Sequence, residues 1–175
     1  RAYPDFKNIA FLDIETTGLS HYSSQITVIG LYDGKESKFF INGKNLQDFA
    51  EEIKRYSTLI TFNGRQFDIP FIASKFPELD WNQFHIDLRY DLAKLGYRGG
   101  LKSIEHQLGL QRDEEIQGID GFEAVRLWRR YQRGDKNALG TLISYNKADI
   151  ENLKFLAEFS YPRLRQKLAL SQREL

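Results

Sequence analysis

The stretch NIAFLDIETTGL, residues 8–19, decides the fold. Residues 8–13 are a short apolar run that reads as a central strand. Ile9, Ala10, Phe11, Leu12 and Ile14 leave that strand no polar face, which puts it in the interior. Alternate residues of a strand point the same way, so Asp13 and Glu15 are neighbours on one face at its end. Two carboxylates there repel each other, and each carries a desolvation cost of several kcal/mol. A divalent cation relieves both problems. Oxygen ligands, in a chain with no cysteine and no paired-histidine spacing, favour magnesium or manganese. Taken alone, the pair reads equally well as two solvated carboxylates at a strand end.

Working outward, QITVIGLY (residues 25–32) and KFFI (38–41) predict two more strands, with the turn signal Asp33-Gly34 between them. Residues 45–56 carry Leu46, Phe49, Ala50 and Ile53 at helical spacing. TLITF, residues 58–62, is another buried strand. A helix is expected over residues 66–75, with Pro70 tolerated in its first turn. A short strand follows over 84–86, and Asp87 opens the next helix. Further helices are expected over 101–108, 121–133 and 137–160, the last with a long amphipathic pattern. Pro162 is expected to break it ahead of a charged terminal helix. This order of elements predicts an α/β architecture with a mixed five-stranded sheet flanked by helices.

The bulk properties set outer bounds. A chain of 175 residues suits one compact domain, residues 1–175, and 41% hydrophobic residues permit a real core. No apolar span is long enough to cross a bilayer, so no membrane role is expected. The absence of cysteine excludes disulfides and thiolate chemistry and agrees with a cytoplasmic protein. With no methionine and a start at Arg1, the chain reads as a domain cut from a longer protein. A net charge of +1 neither demands nor excludes nucleic acid.

Two further fragments complete the pattern. In TFNGRQFDIPFI, Asp68 follows Asn63-Gly64 at a strand-to-helix junction, a usual place for ligand sites in α/β sheets. By itself Asp68 reads as a first-turn helix acid. In SYNKADIENL, Tyr145 and Asp149 are four apart on an expected helix and share a face with Leu142 and Leu153. By themselves they read as a core tyrosine and a surface aspartate. All three fragments imitating one pattern in the correct order is the harder coincidence.

Together these motifs resemble the DEDD-type 3′→5′ exonucleases of ribonuclease H-like fold. FLDIETTGL is similar to the first exonuclease motif, through Asp13 and Glu15, and TFNGRQFDIPFI to the second, through Asp68. The second is especially like that of family B DNA polymerase proofreading domains. Tyr145 and Asp149 match the third motif in its tyrosine form, the DEDDy form; the histidine form would need a histidine at position 144, which is serine. LKSIEHQLGL and GIDGFEAVRLWRRYQRGD bring the chain closer still to YprB-like ribonuclease H-like domains. The resemblance runs from about residue 8 to residue 156.

The resemblance implies a two-metal mechanism on the 3′ end of single-stranded DNA or RNA, releasing nucleoside 5′-monophosphates. Asp13 would bridge two divalent cations, Mg2+ or Mn2+, about 3.5–4 Å apart. Glu15 and Asp149 would complete the first site, and Asp68 would support the second through water. Tyr145 would orient the attacking water, since a phenol of ordinary pKa is a poor base at neutral pH. Thr16, Thr17, Gly18 and Leu19 would contact the terminal nucleotide, with Leu19 against its base; an ordinary turn is the plain alternative. Asn63 and Phe67 would line the strand path, with core the plainer reading for Phe67, and Lys147 would face substrate phosphate. A monomer, alone or within a larger repair protein, is expected. The rival is a catalytically weak nucleic-acid-binding module of the same fold.

Weaker signals lie elsewhere. Arg126, Arg129, Arg130 and Arg133 share roughly one helical face, which reads as a solvated basic face or a nucleic-acid contact. Lys102 and Ser103 follow Gly99-Gly100 and could open an anion-binding helix start. Asp87 is a helix N-cap or a fifth acid. His21, His85 and His106 have no metal-ligand spacing.

Overall fold

The computed structural model describes residues 7–171. The ends of the expected 1–175 domain, Arg1 among them, lie outside the described residues. Five strands form one sheet: β1 (Ile9–Thr16), β2 (Ile26–Tyr32), β3 (Ser37–Ile41), β4 (Thr58–Thr61) and β5 (Phe84–Asp87), in the order β3-β2-β1-β4-β5. β1 pairs antiparallel with β2 and parallel with β4, so the sheet is mixed, as expected.

The apolar run of β1 explains its central place, because both of its faces are covered. Ala10, Leu12 and Ile14 join the core cluster of Phe49, Phe71 and Ile72, contributed by α1 (Phe49–Glu52) and α2 (Asp68–Lys75). Phe11, one residue out of phase, faces Leu88, Leu92, Leu153 and Leu156, from α3 (Leu88–Lys94) and α6 (Lys136–Ser171). The pleat carries Asp13 and Glu15 onto that second face, beneath α6 and α5 (Gly121–Gln132). No described helix is long and apolar enough to cross a membrane.

Two expectations need correction. Residues 45–56 form a broken helix: 3-10 turns at Leu46–Asp48 and Ile53–Arg55 flank the single turn of α1. The spacing of Leu46 and Phe49 suits three residues per turn, and both anchor in the core. Pro162 does not break the last helix; α6 runs through it for 36 residues. Leu153, Leu156 and Ala157 already hold the preceding turns in the core. The Arg163 guanidinium donates to the Phe159 carbonyl at 2.8 Å and lies over its ring, so the turn around the proline has a side-chain donor.

The end of β1 positions the site. β4 pairs with β1 only as far as Phe11, then leaves through a turn with Asn63 at a φ of 63°. Asp87, at the end of β5, holds that turn by accepting from the N–H groups of Asn63 (2.7 Å) and Arg65 (3.1 Å). It also accepts from Arg89 N–H as the cap of α3. The turn delivers Asp68, whose Oδ1 accepts from the Ile14 N–H at 3.1 Å and so takes the ladder position β4 has vacated.

Candidate metal centre and cleft

Strand β1 and helix α6 meet in a carboxylate cluster. Asp13, Glu15 and Asp149 each offer an oxygen, and these atoms lie within 4.8 Å of one another. Asp13 is half-buried, while Glu15 and Asp149 are buried. Asp149 reaches the sheet because its helical face is the inward one, shared with buried Leu142 and Leu153. Tyr145, one turn earlier, is buried beside it.

Few positive groups oppose this charge. The Arg112 side chain is covered, and it donates to Asp149 and, through two nitrogens at 2.7 and 2.8 Å, to Glu105, buried on α4 (Leu101–Gln107). Asn152 donates to Glu105 at 3.0 Å from behind. Lys102 donates its Nζ to the Ile119 carbonyl and lies 4.4 Å from the Tyr145 ring centroid. Asn146 donates to Asp13 Oδ2 at 2.8 Å and reaches Glu15 at 3.5 Å.

The electrostatics follow. Burial, then the charges of Asp149, Asp68 and Glu15, push Asp13 well above the usual carboxylate range. Glu15 is raised too, by burial and then Asp149, although the Asn146 hydrogen bond pulls it back. Burial takes Asp68 to about 7 against the pull of backbone N–H donors, including Ile14. Burial lifts Asp149 to about 6, with Arg112 opposing. Tyr145 is raised, by burial first and then Asp149, so its phenol stays protonated. A buried set of oxygen donors that resist ionisation together is a donor set for a hard divalent cation, whose charge reverses each of these shifts.

In the folded chain Asp68 titrates near 7, and unfolded it titrates at about 3.9. Between those limits the folded chain binds the extra proton, so stability is lost as pH rises through this window. Asp33, Asp120 and Asp135 are shifted downward and act oppositely, so the contribution is read as a difference. In EDTA, the stability of Asp68→Asn relative to wild type should grow from about pH 5 to about pH 8. Thermal unfolding checks this, and a difference that is flat with pH contradicts it.

A cavity of about 790 Å³ opens over the cluster. It is lined by Asp13, Glu15, Tyr145 and Asp149, by Thr16, Thr17, Gly18 and Leu19, and by one face of α5. That face presents Phe122, Val125, Arg126 and Arg129. Phe67 also reaches the wall, although it packs against the core as expected.

Other expected residues lie elsewhere. Asp68 sits beside the end of β1, close enough for its charge to raise Asp13, and is not among the three clustered acids. Asn63 accepts from Arg89 at 2.6 Å and lies outside the lining. Lys147 is ion-paired to Glu151 at 3.0 Å on the exposed side of α6. The four arginines divide: Arg126 and Arg129 of α5 line the cavity, Arg130 pairs with Asp135, and Arg133 is the C-cap that follows the helix. Sequence reasoning missed Arg112, Glu105, Asn146 and Phe122. Asn146 carried a signal, being a polar residue flanked by site residues on a mostly inward helix. Arg112 carried none, being 37 positions from Asp149 in an irregular segment.

Comparisons with known proteins agree on the fold. The family model described as the RNase H superfamily matches residues 10–161. An uncharacterized protein of Methanocaldococcus jannaschii is 29% identical over 161 residues, covering 81% of this chain and 89% of that one. The family B DNA polymerase of the archaeon Pyrobaculum calidifontis superposes with a TM-score of 0.67 at 15% identity, over 86% of this chain. The match spans only 24% of that polymerase. Brucella melitensis NrnC gives a TM-score of 0.61 at 21% identity, covering 94% of this chain and 78% of that one.

Proposed function

We propose, from the premise that this chain belongs to the RNase H superfamily, that it is a metal-dependent 3′→5′ exonuclease of the tyrosine-form DEDD group. Its substrate is the 3′ end of single-stranded DNA or RNA, and its product is a nucleoside 5′-monophosphate. The observation that carries this reading is the convergence of Asp13, Glu15 and Asp149 in one cavity with Tyr145.

Asp13, Glu15 and Asp149 would hold the first of two divalent cations, with Asp13 shared and Asp68 supporting the second. NrnC of this fold has been solved with bound Mg2+, which supports magnesium. When bound, such ions lower the pKa of water and balance charge on the phosphoryl and leaving oxygens. The remaining work belongs to the chain. The Tyr145 phenol, held protonated, positions the attacking water as a hydrogen-bond partner and takes no proton from it. Leu19 and Phe122, exposed apolar side chains lining the same cavity, give the terminal bases packing surfaces. Arg126 and Arg129 face the strand's phosphates.

The test uses 5′-labelled single-stranded DNA and RNA with Mg2+ or Mn2+, beside Asp13→Ala. A ladder shortening from the 3′ end, lost in EDTA and in the variant, is expected. Internal products, or cleavage that survives Asp13→Ala, would overturn the reading. Binding without cleavage of either strand favours the non-catalytic module. Arg126→Ala/Arg129→Ala should weaken strand binding and flatten its dependence on log salt by about 0.7 for each phosphate no longer neutralised. An unchanged slope in fluorescence anisotropy removes these arginines from the strand path.

A further inference from the structure

Asn146 is fully buried on α6, one residue after Tyr145. Its Nδ2 donates to Asp13 Oδ2 at 2.8 Å and reaches Glu15 Oε1 at 3.5 Å. The other end of the amide, Oδ1, is buried with no hydrogen-bond partner. That oxygen rests against Gly30, where an added Cβ would lie 2.0 Å from it. Gly30 is the β2 residue registered directly against Asp13.

Glycine in the interior of a strand is unfavourable, and Gly30 has no positive φ to require it. What requires it first is the close approach of the Asn146 amide, with the Ile150 methyl group the next neighbour of that Cβ at 3.2 Å. A buried acceptor without a partner is also unfavourable, and an alanine in place of Asn146 would avoid it. Turned over, the amide would set Oδ1 against Asp13 and Glu15, which as the carboxylates a cation binds have no proton to donate to it. Two unfavourable features are therefore kept at one point, and the gain they share is the amide N–H2 beneath Asp13 and Glu15.

We propose that Asn146 is a positioning residue that holds Asp13 and Glu15 side by side for the divalent cation, and that Gly30 is the notch admitting it. The proposal rests on the reading of this cluster as a metal centre. One amide nitrogen carries two hydrogens, one for each carboxylate. Each acid thereby keeps a second oxygen for a cation. The amide is neutral, so it steadies the pair without adding a positive charge that competes with the ion.

The experiment measures Mn2+ binding by the electron paramagnetic resonance of free Mn2+, without substrate, and thermal unfolding in EDTA. Asn146→Ala should weaken Mn2+ binding about 10–100-fold, with metal-free unfolding shifted by only a few degrees. Gly30→Ala should weaken it similarly from the β2 side. The double variant should bind no worse than the worse single one, because Asn146→Ala takes away the amide that a methyl group on residue 30 would strike. Mn2+ binding by Asn146→Ala within twofold of wild type would overturn the proposal, as would losses that add in the double variant. If wild type binds no Mn2+, or binds it as Asp13→Asn does, the metal-centre reading itself fails and takes the proposal with it. Because Asn146→Ala only deletes atoms, it keeps the test decisive should Gly30→Ala not fold.

Discussion

Asp13→Asn is expected to lower the proposed cleavage by roughly a thousandfold or more, about 4 kcal/mol on the barrier, while making the metal-free protein more stable. Both effects have one cause. Asp13 lies among Glu15, Asp68 and Asp149, and its ionised form is disfavoured by burial and by all three charges. The substitution removes a negative charge that the folded chain accommodates poorly. The metal-free chain should therefore unfold at a higher temperature than wild type, by an amount that grows as pH rises above the ordinary carboxylate range. The same charge is what a divalent cation would bind, and an amide oxygen replaces it weakly. Single-turnover cleavage with Mg2+ and thermal unfolding in EDTA measure the two signs. Wild-type cleavage, or a marked loss of metal-free stability, would contradict the account.

The second large effect concerns Arg112. Its guanidinium bridges Glu105 and Asp149, both buried, and its own side chain is 8% exposed. Arg112→Ala leaves Glu105 charged and buried with only Asn152 as a donor. Removing one partner from such a buried set costs about 3–5 kcal/mol. The unfolding temperature should fall by roughly 6–20 °C. Arg112→Lys should recover little, because an ammonium does not reproduce the fork that engages both Glu105 oxygens. Adding Glu105→Gln to Arg112→Ala should return part of the loss by removing the stranded charge. Denaturant titration checks each step, and a loss below about 1 kcal/mol would mean that solvent screens the network.

Much of this molecule is legible in its sequence where one local period governs. The strand period of two puts Asp13 and Glu15 together, and the helix period of four puts Tyr145 and Asp149 together. Both pairs are found where those periods direct them, and Leu19 lies on the wall of the same cavity. Legibility fails where several periods have to be combined. Lys147 is two residues from Asp149, about 200° around the helix, and so turns outward. Asp68 is carried to the same strand end, where one oxygen completes the β1 ladder, a demand visible only once β4 is known to stop short. Pro162 signals a helix end locally, and packing over the preceding turns outweighs it. Glu105 lies on an expected helix, but its partner Arg112 follows an irregular path that no periodicity describes.

The distance in sequence between the two halves of the cluster has a consequence for biosynthesis. Asp149 is made 134 residues after Glu15 (149 − 15). A nascent chain that has exposed β1 to β5 has a sheet without the helix that completes the cluster. It lacks Tyr145 and Asp149, and also Asn146 and Arg112, which order the acids. The centre therefore comes into being only when α6 docks, after every strand of the sheet has been made. A chain interrupted before α6 holds an incomplete set of cation donors, so the chemistry proposed here is withheld until that helix has emerged and packed.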